Sequence, residues 1–65
     1  MAKVNGQEMM GLDGKTVAQL LADMKYNIKL VAVEMNGQIV PKKSYADVVI
    51  HQGDSLEVVS FVGGG

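Results

Sequence analysis

The sequence has 65 residues, 48% of them apolar, with one proline and no cysteine. That is material for one hydrophobic core, and it excludes a two-domain enzyme, a disulfide framework, a thiolate nucleophile and a cysteine-type zinc site. Six lysines and no arginine against seven acids give a net charge of −1, which argues against the basic stripe of a nucleic-acid binder.

A chain of this size buries only about 60% of the surface its unfolded form exposes, which leaves little for carving a catalytic cavity. The expected role is therefore not that of an enzyme. The longest apolar runs, such as Leu30-Val31-Ala32-Val33, are far short of the roughly 20 residues of a membrane span. Met1-Ala2-Lys3-Val4-Asn5-Gly6 lacks the apolar stretch of a secretion signal, so the expected location is the cytoplasm.

In chain order, Asn5-Gly6 supplies two residues that tolerate the positive φ of a type I′ turn, predicting a hairpin of strands over residues 2–5 and 7–10. After a loop, Thr16 is placed to cap a helix and Gln19 completes a capping box. Val17, Leu20, Leu21 and Met24 then recur at i, i+3, i+4 and i+7, which predicts one helical stripe running to about residue 25. A second hairpin follows over residues 30–35 and 38–40, turning at Asn36-Gly37. Pro41 ends it. Residues 42–46 read as a helical turn with Tyr45 packed inward, 48–50 as a short edge strand, and 56–62 as a long apolar final strand.

This order, hairpin, helix, hairpin and final strand, predicts an α+β roll: one mixed sheet of four to five strands with a single main helix packed on one face. A crossover through the helix sets two strands parallel. Strand order does not follow from the pattern.

The informative chemistry lies at the end, where Phe61-Val62 runs directly into Gly63-Gly64-Gly65. Glycine has no Cβ, so such an end threads a narrow channel and adopts backbone angles closed to other residues. Extended at 3.3–3.6 Å per residue, three residues carry a terminal carboxylate about 10 Å beyond the sheet. A frayed terminus is the plainer reading of the same glycines. In the final strand, alternation puts Leu56 and Val58 on one face and Glu57, Val59 and Phe61 on the other. If the first pair faces the helix, Val59 and Phe61 form an exposed apolar patch for a partner; the alternative is that Phe61 folds back on the domain edge.

A small α+β roll ending in Gly-Gly, with Val31-Ala32-Val33-Glu34-Met35-Asn36-Gly37-Gln38-Ile39-Val40-Pro41 and then Gly53-Asp54-Ser55-Leu56-Glu57-Val58-Val59-Ser60-Phe61-Val62-Gly63-Gly64-Gly65, resembles the ThiS family of ubiquitin-like β-grasp sulfur carriers. The resemblance implies a β-grasp domain over residues 1–62 and a flexible tail over 63–65. The family's Gly-Gly corresponds to Gly64 and Gly65, with Gly63 as added reach. It implies that a ThiF-like enzyme, using ATP and magnesium, adenylates the carboxylate of Gly65. Sulfur from a donor such as a cysteine desulfurase then replaces AMP, and the thiocarboxylate serves a ThiG-like thiazole synthase. The carrier binds no cofactor itself and, free, is expected to be a monomer.

Rival readings are a carrier like the small subunit of molybdopterin synthase, a β-grasp interaction module with incidental glycines, and a ubiquitin-like modifier of lysines. His51 lacks companion ligands for a metal. Met9, Met10 and Met24 read as adaptable core or edge residues, Lys42-Lys43 as a solvated turn, and Asp13, Asp47 and Asp54 as turn acids that bond backbone amides.

Overall fold

Both Asn-Gly pairs make the turns their chemistry favours. In a computed structural model, which describes residues 1–61, Asn5 and Gly6 have φ of 52° and 83°, and Asn36 and Gly37 have 53° and 85°. These successive positive values match the right-handed twist of a hairpin. The first turn joins β1 (Ala2–Val4) to β2 (Gln7–Met9), and the second joins β3 (Val31–Met35) to β4 (Gln38–Val40).

Helix α1 (Val17–Asp23) begins as its capping box dictates. The Thr16 hydroxyl accepts from the Gln19 amide at 3.1 Å, and the Gln19 side chain accepts from the Thr16 amide at 2.9 Å; such a cap is worth about 1 kcal/mol. The helix stops two residues before the expected position. Lys25 takes a left-handed φ of 63°, the Tyr26 amide donates to the Leu21 carbonyl and the Lys25 amide to that of Ala22. This is a Schellman ending with lysine where glycine is usual, and no glycine marks it in the sequence.

The sheet has five strands in the order β2-β1-β5-β3-β4, with β5 (Ser55–Ser60) at its centre. β5 runs parallel to β1 and antiparallel to β3, and both hairpins are antiparallel. The fold is thus the mixed sheet and single helix that the sequence implied. The buried side chains of the strands, Ala2, Val4, Val31, Val33, Val40, Leu56 and Val58, share one core with Val17, Leu20 and Leu21 of α1 and with Leu12, Tyr45 and Ile50.

Several boundaries differ from expectation. Residues 48–50 are not an edge strand of the sheet: they pair with the loop before α1 through a bridge between Thr16 and Val49. The Val17 amide donates to the Val48 carbonyl at 3.0 Å, and the Ile50 amide to that of Lys15 at 2.8 Å. Three branched residues between turns look the same whichever backbone they meet. Leu30 closes a 3-10 turn (Ile28–Leu30) and does not start β3, because the Asn27 side chain accepts from the Lys29 amide and bends the chain there. The turn after Pro41 is likewise a 3-10 turn (Lys42–Ser44), and Tyr45 packs inward as expected. Met9 and Met24 pack partly against the core, whereas Met10, just past β2, is 82% exposed. Among the described residues no helix is long and apolar enough to cross a membrane.

Candidate functional site

β5 is the strand that precedes Gly63-Gly64-Gly65 in the sequence, and three separate restraints hold it. Its flanks are paired on both sides. Each asparagine of the two turns also reaches it with its side chain: Asn5 Oδ1 accepts from the Val58 amide at 2.8 Å, and Asn36 Oδ1 from the Ser55 amide at 2.9 Å. The backbone amides of the same two residues donate to Leu56 and Ser55 carbonyls at 2.8 Å. Turn geometry alone accounts for Asn-Gly in the sequence, so this second task of the asparagines was missed. The available signal was that both turns use Asn, although Asp-Gly or Gly-Gly serves a type I′ turn as well.

The start of β5 is fixed by Asp54. Its carboxylate accepts from the Asn36 Nδ2 at 3.0 Å and from the His51 amide at 2.8 Å. The Asn36 side chain, followed by the His51 amide, holds this carboxyl below the usual carboxylate range. Asp54 is therefore a turn acid of the kind expected, and His51 is an exposed member of the same turn. Lys42, read as a solvated lysine, donates from Nζ to the Lys29 carbonyl at 2.9 Å and ties the turn after β4 to the one before β3.

Leu56 and Val58 are buried, so the other face of β5 is the open one. Val59 is 54% exposed and Phe61 61% exposed; Phe61 does not fold back on the domain edge. The Phe61 amide donates to the Leu30 carbonyl at 2.6 Å, extending the β5–β3 ladder one residue past the strand. Two of the five residues singled out, Val59 and Phe61, are thus placed together beside the end of the sheet. Gly63, Gly64 and Gly65 lie outside the described residues, as does the boundary expected between residues 62 and 63.

A mixed five-stranded sheet with one α-helix across it, whose central strand is the last among the described residues, defines a ubiquitin-like β-grasp protein. The structure superposes on the crystal structure of a thiamine biosynthesis protein (ThiS) from Geobacter metallireducens with a TM-score of 0.78 and 30% identity, covering 98% of this chain and 97% of that one. Over the full length of both chains it is 38% identical to the sulfur carrier protein ThiS of Bacillus subtilis. It is also 47% identical, over 95% of its length, to a segment of a thiazole synthase of Paramagnetospirillum magneticum, and spans only 19% of that relative. The model of the ThiS family matches residues 2–65. The chain belongs to the ThiS family and is a sulfur carrier of thiamine biosynthesis.

Proposed function

We propose that the sulfur rides on the carboxylate of Gly65. A terminal carboxylate ionises near pH 3.3–3.7, so at neutral pH it is an anion that resists nucleophilic attack. An ATP- and magnesium-dependent ThiF-like enzyme activates it: a carboxylate oxygen attacks the α-phosphorus, pyrophosphate leaves, and an acyl-adenylate forms. A persulfide sulfur from a donor such as a cysteine desulfurase attacks the acyl carbon and AMP leaves. A thiol then cleaves the acyl disulfide, becoming a disulfide itself and leaving a thiocarboxylate whose ionised sulfur is the nucleophile. The receiving enzyme is a thiazole synthase. The chain is a cytoplasmic co-substrate and a monomer when free; the partners supply the catalysis.

The observation that carries this reading is the position of β5. It is the central strand, clasped by both hairpin turns, it carries an exposed apolar pair at its end, and Gly63-Gly64-Gly65 follow it in the sequence. The covalent inclusion of a similar segment in a thiazole synthase relative supports that enzyme as a partner. The test is incubation of the chain with the adenylating enzyme, ATP, magnesium and the sulfur donor. The intact mass should rise by the difference between sulfur and oxygen; no rise, with the enzyme active on another carrier, overturns the reading.

Val59 and Phe61 dock this end of the sheet on the adenylating enzyme. Burying a large apolar side chain contributes about 1.5–3 kcal/mol, so Val59→Asp or Phe61→Asp is expected to weaken binding by about tenfold or more. The thermal midpoint should hardly move, because both side chains are exposed. Titration calorimetry checks this, and an unchanged Kd removes both residues from the interface.

A further inference from the structure

The two neighbours of β5 flank it over different lengths. Towards β3 the pairing runs from Leu56 to Ser60, and the Phe61 amide adds a bond to the Leu30 carbonyl at 2.6 Å. Towards β1 the register covers Ser55 and Leu56 alone, with the Lys3 and Asn5 amides donating to the Asp54 and Leu56 carbonyls at 2.9 and 2.8 Å. In a parallel ladder the next rung would run from the Val58 amide to the Asn5 backbone carbonyl. At Asn5 the backbone instead leaves the sheet with a φ of 52°. The Asn5 side chain supplies the missing acceptor: its Oδ1 takes the Val58 amide at 2.8 Å, in a partly buried bond between residues 53 apart in the chain. A side chain thus carries the β1 flank one rung past the strand's own end at Val4.

The bond falls where core packing stops guiding the strand. Val58 is buried, whereas Val59, Ser60 and Phe61 are exposed. Their direction is therefore set by backbone hydrogen bonds more than by packed side chains. Removing the Asn5 acceptor leaves the Val58 amide without its bond and loosens the β1 side of this stretch while the β3 side stays paired. A tilt of about 10° at Val58 then moves Phe61 by about 2 Å over the roughly 10 Å of strand between them.

We propose that Asn5 is a positioning residue for sulfur loading: by holding Val58 from the β1 side, it fixes the line along which β5 leaves the sheet. This rests on the reading of Gly65 as the site of adenylation. A misplacement of about 1 Å at a reacting centre can cost on the order of 100-fold in rate. The glycines that follow Phe61 in the sequence absorb part of any tilt, so the expected loss is about tenfold.

The test uses two variants of the full chain. Asn5→Gly removes the acceptor but leaves a glycine pair that suits the same turn, and Asn5→Asp keeps both the turn and an acceptor oxygen. Amide hydrogen exchange on the free chain is expected to be about tenfold faster at Val58 in Asn5→Gly and close to the parent rate in Asn5→Asp. Loading is followed by intact mass over a range of carrier concentrations, with the adenylating enzyme, ATP, magnesium and the sulfur donor. The kcat should fall about tenfold in Asn5→Gly and recover in Asn5→Asp. Leu21→Ala, a truncation in the core, should melt lower than Asn5→Gly and yet keep the parent kcat below its midpoint, which separates aiming from stability. Unchanged exchange at Val58 in Asn5→Gly, unchanged kcat in that variant, or an equal loss of kcat in Leu21→Ala overturns the proposal. Failure of the parent chain to load overturns the reading of Gly65 instead, whatever the exchange shows.

Discussion

Deleting Gly64 and Gly65 is expected to abolish sulfur loading while the domain stays folded. Among the described residues every member of the buried core lies at or before Val58, so the deletion takes away no residue of that core. It does move the terminal carboxylate back by two residues, about 7 Å in an extended chain. A displacement of about 1 Å from a reacting centre can cost on the order of 100-fold in rate, so a loss of at least that size is expected. Loading is read by intact mass and the fold by thermal melting. Loading at the parent rate would show that the tail is not the arm that reaches the partner's site.

The opposite pattern is expected for Leu21→Ala. Leu21 is fully buried between α1 and the sheet, and its carbonyl accepts the Tyr26 amide that closes the helix. Truncating a buried leucine costs about 2–5 kcal/mol. A domain of this size is stable by only roughly 0.05–0.15 kcal/mol per residue, so much of its stability is lost. With about 4–8 °C lost per kcal/mol in a small domain, circular dichroism should record a midpoint lower by at least about 8 °C. A shift of a few degrees would mean that the helix does not carry the core as described. Sulfur loading below the lowered midpoint should persist, because Leu21 touches no reacting atom.

What could be read from the sequence divides along a physical line. Local chemistry was legible: the Asn-Gly turns at Asn5 and Asn36, the Thr16 and Gln19 capping box, the buried stripe of Val17, Leu20 and Leu21, and the outward face of Val59 and Phe61. Each depends on neighbours within a few residues. Long-range pairing was not legible. The strand order that puts β5 between β1 and β3, the pairing of Val49 with Thr16 and the clasp of Asn5 on Val58 join residues far apart in the chain. Of the candidate site, the exposure of Val59 and Phe61 followed from alternation, while Gly63, Gly64 and Gly65 lie outside the described residues and rest on composition and on the resemblance to the carrier family.

The most direct test of the account is to locate the sulfur. The chain loaded by its adenylating enzyme and sulfur donor is fragmented in the gas phase, and the mass difference is assigned along the sequence. Sulfur for oxygen on Gly65, with every fragment up to Val62 unchanged, is the predicted result. Sulfur on any other residue, or an isopeptide bond from Gly65 to a lysine in place of a thiocarboxylate, would contradict it.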